Sequence, residues 1–567
     1  MRKRPGRQQM PPADPVKARP PWLLEWLDRH AILIAIGLVA LASIRIVSTY
    51  TVFNHTIDEP IHLACGMEWL DKATYTCEPQ HPPLARVAAA LLPYLSGIRS
   101  QGVATHDIYT QPLEGIAILY SGHHYDRTLS LARLGILPFF WIACGVVYIW
   151  AARYFSKPLA VIALFLFSFT PAVLAHAGLV TTDMALTAFL SAAFLSGLVW
   201  VERPTKPSAA LFGVCTGLAV LSKFTTLIFL PAAALVAFVW YWATGRTGIG
   251  RAVRDRIPTL ALAGFVGALV IWAGYRFSFG AVGFTSVRLP APELFAGIEA
   301  VLQHNELGHR SYLLGELSSS GFWYFYPVAL AVKTPIPLLI LLVFGSILVF
   351  RKNSDSPRLW LPLAFAIAVF QAGMMGHINI GIRHVLPVYS GIAILGAAAF
   401  LEMVERARTQ RFILALLMVL AAWFACSSLL SHPDYLAYFN PLVGSHPEAV
   451  LVDSDLDWGQ DVKRAATRLH ELGAKEVTFP QFIVAELEKE HGFPRLNPDI
   501  DLVRQPEGYF LCGATFWKAY RFGLFNDHPT WPDNTPPTER IGKGMFLWYR
   551  RHETSSSAPH ILADEGQ

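Results

Sequence analysis

Asp58-Glu59-Pro60 places two adjacent carboxylates a few residues after the first long apolar segment, Ala31 to Val52. A purely passive span needs no such pair, and two carboxylates at a membrane surface suit general acid–base chemistry on a lipid-borne substrate. A third acid, Asp183, stands in Val180-Thr181-Thr182-Asp183-Met184-Ala185-Leu186, at the lip of another apolar run. An acid there is costly to desolvate and marks function more often than packing. Cations recur at apolar runs too: Arg276 in Tyr275-Arg276-Phe277 and the pair Arg383-His384 stand at run ends, and Lys333 in Val332-Lys333-Thr334-Pro335 stands about six residues inside one. Arginine presents a fork that matches phosphate oxygens and lysine a point charge, so acids with cations at one membrane face suit a lipid-borne phosphate. Taken singly, each has a plainer explanation: a solvated pair or helix cap for Asp58-Glu59, an interfacial anchor for each cation.

His81-Pro82-Pro83-Leu84-Ala85-Arg86 forms a second element in the same loop. Its prolines fix an extended lead-in and allow a helix to start behind them. The Leu/Ala/Val-rich stretch from Leu84 to Leu95 is too short to span and is expected to lie along the membrane surface, with Arg86 near lipid phosphates.

These residues need elements to hold them. Of 567 residues 53% are hydrophobic and only 15% charged, and the mean hydropathy is +0.39. Such a composition excludes an ordinary soluble protein. Net charge is +5, and the basic residues gather between apolar runs, so the charge bears on membrane orientation; no nucleic-acid module is evident. Apolar runs near 31–52, 131–152, 158–175, 182–201, 208–222, 224–243, 258–275, 327–350, 359–376, 383–401 and 412–430 predict about eleven transmembrane helices. Basic residues cluster in the N-terminus (1–30), at Arg153/Lys157, Arg203/Lys206, Arg246/Arg251/Arg254/Arg256, Arg351/Lys352/Arg358 and Arg406/Arg408/Arg411. By the positive-inside rule these loops face the cytoplasm. Asp58, Glu59, Asp183, Glu306 and the C-terminal region then face outward, in an inner (plasma) membrane with the C-terminal part periplasmic. No small-residue cleavage site follows the first run, which therefore reads as an uncleaved anchor.

The expected organisation is a transmembrane domain at 31–430, with outer loops at 53–130 and 276–326, the latter partly mobile. A small extracytoplasmic α/β domain is expected at 431–552, and a disordered tail at 553–567. Strands are expected at Ala449–Val452, Glu476–Phe479, Gly508–Leu511 and Met545–Tyr549, and a helix over Gln460–Leu472. The six cysteines make no disulfide framework, although Cys65 and Cys77 share one loop. Asp453, Asp455 and Asp457 alternate as in a calcium loop, but Gly459 falls one residue late and Arg464 replaces the bidentate glutamate, so this is not an EF-hand. His123-His124, and His55 with His62, are better read as solvated than as zinc ligands. No cofactor follows from the sequence, no metal ligands can be assigned, and the need for a divalent metal is left open.

At these residues the chain resembles the membrane glycosyltransferases that use polyprenyl-phosphate sugars, the protein O-mannosyltransferase and aminoarabinose transferase superfamily with its GT-C fold. Asp58-Glu59 resembles the first-loop acidic motif, and His81-Pro82-Pro83-Leu84-Ala85-Arg86 the HPPL-x-K segment, with Arg86 in place of lysine. Thr182-Asp183 is similar to the second acidic position. Lys333-Thr334-Pro335, Gly381-Ile382-Arg383-His384 and Asp453 to Asp461 resemble segments of bacterial relatives with a C-terminal outer domain. The large central β-trefoil of the eukaryotic enzymes is missing. The resemblance implies sugar transfer, with inversion, from a polyprenyl-phosphate donor to a glycan, lipid or protein acceptor. It implies Asp58 as general base, aided by Glu59 and Asp183, and a donor held by His81, Arg86, Arg276, Lys333, Arg383 and His384. The alternative is a lipid or solute transporter, which would more often show repeated halves and charges at the midplane.

Overall fold

The computed structural model describes residues 22–104, 110–243, 256–283, 287–351, 359–407, 410–481, 483–520 and 530–551. The basic residues Arg246, Arg251, Arg254, Lys352, Arg358 and Arg408, most of the N-terminal segment and the tail at 553–567 lie outside them.

Each of the eleven apolar runs falls in helix, but not all are long spans. Seven helices are long and apolar enough to cross a membrane: Leu24–Val47, Tyr125–Tyr154, Asp183–Glu202, Thr226–Ala243, Ile257–Gly274, Val388–Ala407 and Arg411–Leu430. Two bent pairs bring the number to nine: Lys157–Ser168 with Pro171–Ala177 at 68°, and Phe325–Lys333 with Ile336–Arg351 at 117°. Lys206–Ser222 and Trp360–Met374 are apolar but shorter. The expected eleven is therefore not reached by length and composition among the described residues. The protein is a polytopic helical membrane protein. Asp183–Glu202 is enclosed by its neighbours (67% of its apolar window buried), whereas Ile257–Gly274 is peripheral (11%), so the acid at position 183 starts a central helix.

The 117° bend has a local cause. Pro335 cannot donate a backbone hydrogen bond, and carbonyls freed at a break in a membrane helix need other donors. Asn440 provides them: its Nδ2 donates to the carbonyls of Ala331 (2.6 Å) and Thr334 (2.8 Å), and its backbone N–H to Val332 (2.9 Å). The chain beyond the last span thus completes a helix inside the bundle.

The loop after the first span is structured rather than spread on a surface. Glu59–Met67 carries Pro60 in its first turn, Pro83–Leu95 starts at its own proline, and Gln111–Tyr120 and Tyr125–Leu134 follow. Glu59–Met67 and Pro83–Leu95 approach so closely that a Cβ on Gly66 would lie 2.0 Å from the Arg86 carbonyl oxygen. The Pro83–Leu95 helix buries Ala85, Arg86, Ala89, Ala90 and Pro93 and exposes Leu91 and Leu95, so the expected surface-lying helix is in fact packed on one face.

The 276–326 loop holds two short hairpins, Phe279–Ala281 with Arg288–Pro290 and Ser311–Leu313 with Glu316–Ser318, around the helix Pro292–Leu307. The C-terminal region carries a five-stranded mixed sheet in the order Arg495–Asn497, Glu476–Thr478, Gly508–Gly513, Met545–Arg550, Glu539–Ile541, beside the helix Val462–Glu471. The first three strands are parallel and the last two pairings antiparallel. The strand expected at Ala449–Val452 is absent: Pro447–Ala449 forms a 3-10 turn, consistent with Pro447 removing a ladder donor. Cys65 and Cys77 are free thiols.

Candidate active site

Asp58 precedes the first turn of Glu59–Met67, and its carbonyl accepts from His62 N–H (3.2 Å). Its carboxylate makes no capping bond. Instead Oδ2 accepts from Arg383 Nη1 at 3.0 Å. The same Nη1 lies 3.8 Å from Asp183 Oδ2. Asp183 Oδ1 accepts from Lys223 Nζ at 2.6 Å, while its Oδ2 has no hydrogen-bond partner. Four charges from four separate segments therefore meet, and the two acids share one guanidinium.

Exposure is graded across this group. The Asp58 side chain is 31% exposed, those of Lys223 and Arg383 8% and 6%, and that of Asp183 0%. Asp58 is the most exposed member of the group. His384 follows Arg383 in the same 3-10 turn, and its Nε2 is buried with no hydrogen-bond partner. Lys223, Arg383, Asp183 and His81 all lie within electrostatic reach of it.

The other expected site residues are placed differently. Glu59 does not join Asp58. Its carboxylate receives Arg133 Nε (2.9 Å) and Nη2 (2.7 Å), Thr56 N–H (2.8 Å) and Val180 N–H (3.0 Å). Burial alone would push this carboxyl up; Arg133 outweighs it and holds the pKa below the ordinary value. The expected catalytic role for Glu59 does not fit, because its oxygens are already taken: the Arg133 salt bridge ties the Asp58 loop to the helix Tyr125–Leu134, and the Val180 N–H bond ties it to the segment preceding Asp183.

Arg86, expected near lipid phosphates, is fully buried. It donates to His62 Nδ1 (2.9 Å), Tyr75 OH (3.1 Å) and the Glu78 carbonyl (2.7 Å), and forms an ion pair with the Glu78 carboxylate. Burial opposes the charge of Glu78, but Arg86 and His81 hold its pKa well below the carboxylate range. The Leu84–Leu95 composition gave no sign that Glu78 folds back onto Arg86. His81 is nearer the site: its Nδ1 meets Glu78 Oε2 at 3.1 Å, and its ring packs edge-on against His62.

Arg276 is exposed, stacked over Trp69 at 4.7 Å, and donates to the Trp69 carbonyl (3.4 Å). Lys333 is buried at the helix break, donating to the carbonyls of Leu436 (2.7 Å) and Asp455 (2.5 Å) beneath the Phe439 ring. Neither contacts the two acids, so their expected phosphate role is not supported by the geometry.

Three contributors were given no role in the sequence reading. Lys223 was visible only as an interruption of an apolar run. Ser454 Oγ accepts from Arg383 Nε (3.1 Å), and the Arg383 guanidinium lies 4.1 Å from the Trp458 ring centroid. Gly381 permits that approach, since a Cβ there would meet Ser454 Oγ at 2.3 Å. Among the described residues no group of three or more His, Cys, Asp or Glu side chains is arranged to hold a metal ion.

Residues 132–272 match the family model of dolichyl-phosphate-mannose-protein mannosyltransferases. The matched segment includes Asp183 and Lys223 but neither Asp58 nor Arg383. No curated protein matches the sequence. Among solved structures, the chain is similar to ArnT from Cupriavidus metallidurans bound to undecaprenyl phosphate. The identity is 14%, the TM-score 0.49, and the alignment covers 90% of this chain and 97% of that one. It is also similar to the Archaeoglobus fulgidus oligosaccharyltransferase AglB in complex with an inhibitory peptide and a dolichol-phosphate. There the identity is again 14%, the TM-score 0.48, and the coverage 79% of this chain and 58% of that one.

Proposed function

We propose that this chain transfers a sugar from a polyprenyl phosphate to an acceptor hydroxyl at the end of the helical bundle where Asp58, Asp183, Lys223 and Arg383 converge. The single observation that carries this reading is the sharing of Arg383 between Asp58 and Asp183, which joins a partly exposed carboxylate to a buried cationic cluster. The mannosyltransferase-family match over residues 132–272 supports the same reaction class.

In this account the acceptor hydroxyl attacks the anomeric carbon as Asp58 takes its proton. The new glycosidic bond forms while the bond between that carbon and the phosphate oxygen breaks, and the polyprenyl phosphate leaves as a monoester. Attack opposite the leaving group inverts the anomeric centre. Arg383 orients Asp58. Lys223 and His384, with His81 beside them, stabilise the charge that grows on the departing phosphate. Asp183 anchors the two cations, and Glu59 with Arg133 fixes the loop. The site faces the periplasm under the positive-inside assignment, with the α/β C-terminal region over it. Glycan, lipid and protein acceptors all present the required hydroxyl.

The test is incubation of the purified protein with a panel of polyprenyl-phosphate sugars, following sugar release or transfer by mass spectrometry. Turnover of at least one donor is expected. Absence of turnover across the panel, together with vesicle flux of a lipid or solute, would favour the transporter.

A further inference from the structure

One residue, Trp458, meets both sides of the Asp58–Arg383 pair. Trp458 lies in the segment that leads into the C-terminal sheet region, and it is buried. Its backbone carbonyl accepts from Ile57 N–H at 3.1 Å, immediately before Asp58. Its indole face carries the Arg383 guanidinium. One residue therefore grips the acid through the backbone and the base-orienting cation through the ring. Trp458 is itself fixed: its N–H donates to Gln460 Oε1 (2.8 Å), and Gln460 Nε2 donates to the Leu456 carbonyl (3.0 Å). Asn54 stitches the same strip to the loop, donating to the Gly459 carbonyl (2.7 Å) and accepting from Val462 N–H (2.8 Å).

We propose that Trp458 is a positioning residue for sugar transfer, so that the C-terminal region forms an obligatory wall of the active site rather than an appended module. The proposal rests on the reading of Asp58 as base. A guanidinium is planar, and stacking on an indole fixes its plane. With Nε on Ser454 and the face on Trp458, Nη1 is left in one orientation, toward Asp58 and Asp183. Without the ring, the Arg383 side chain regains rotamers that release Asp58. Lys223 is anchored independently on Asp183 Oδ1, so donor binding does not depend on the stack.

The experiment compares Trp458→Leu, which fills space without a ring face, with Trp458→Phe, which keeps one. Both full-length proteins are first shown to unfold at temperatures near that of wild type. Trp458→Leu is expected to lower kcat about 10- to 100-fold with donor KM changed less than about twofold, and Trp458→Phe to recover most of the rate. In parallel, each protein is treated with phenylglyoxal and the labelling of Arg383 is read by peptide mapping. Arg383 is expected to be protected in wild type and Trp458→Phe and to react in Trp458→Leu. Unchanged kcat in Trp458→Leu overturns the proposal, as does a lowered kcat with Arg383 still protected. Should wild type transfer no sugar, the glycosyl-transfer reading fails, and the labelling still decides whether Trp458 holds Arg383. Equal protection in both variants overturns that hold.

Discussion

Glu59 and Glu78, in the loop after the first span, are buried against Arg133 and Arg86. In the segment that docks onto this loop, Asp457 is buried against the backbone N–H groups of Thr515 (3.1 Å) and Gly459 (3.1 Å), and Asp461 has one partly exposed cation, Arg464, at 3.2 Å. The loop acids are held below their ordinary pKa by their arginines. Burial pushes Asp457 up to about 6 and Asp461 up to about 7. The loop that carries Asp58 is thus fixed by ion pairs that stay charged across the physiological range, while the segment that covers it is fixed by carboxylates that titrate within that range. The two sets of acids therefore differ in sign: arginines hold the loop acids charged, and burial pushes the acids of the covering segment toward neutrality.

Breaking the loop's pairing gives the largest effect. Glu59→Gln leaves Arg133 buried without its counter-charge, and loss of one partner of a buried pair costs about 3–5 kcal/mol. A fall in thermal stability of that order is expected in detergent, with part recovered in the Glu59→Leu/Arg133→Met double variant. A neutral Glu59→Gln would mean that the loop is held by other contacts.

Raising pH sharpens the same comparison. The folded pKa values of Asp457 and Asp461 lie above their unfolded values. Between about pH 4 and 7 the folded state therefore holds more protons than the unfolded one. Their contribution to stability is fully present at the acid end of this window and is lost as pH rises through 6 to 7. Glu59 has the opposite sign: its contribution is present above the unfolded value and lost only on acidification. Hydrogen exchange, corrected for its intrinsic pH dependence, is expected to show weaker protection of Gly508–Gly513 and Met545–Arg550 at pH 8 than at pH 5.5, with Glu59–Met67 unchanged. Loss confined to Glu59–Met67 would reverse the assignment.

The smallest effect is expected at Arg276, exposed and stacked on Trp69 away from the acids. Arg276→Ala should leave kcat and donor KM within about twofold, because an exposed cation contributes at most about 1 kcal/mol. A tenfold rise in donor KM would return Arg276 to the phosphate site.

Much of this arrangement was legible in the sequence. Apolar runs located every helix long and apolar enough to cross a membrane, because membrane burial writes hydropathy directly into composition. Asp58, Asp183 and Arg383 stood out since charge at the lip of an apolar run has few structural excuses. Arg86 was misread because its partners Glu78 and Tyr75 reach it through a loop whose fold no periodicity encodes. Glu59 was misread because adjacency to Asp58 implied a shared role, whereas a helix start turns the two side chains to different partners. Trp458 was out of reach: its contacts with Ile57 and Arg383 join distant parts of the chain, and an aromatic in a polar segment carries no signal of what it stacks on.

The central claim is that Asp58 is the base, oriented by Arg383. Single-turnover transfer from a preloaded polyprenyl-phosphate sugar by Asp58→Asn tests it most directly, because the amide keeps the shape and cannot take the proton. The account predicts a rate about 10²–10⁴ lower than wild type, with donor affinity largely retained. A well-folded Asp58→Asn protein that transfers sugar at the wild-type rate would contradict it.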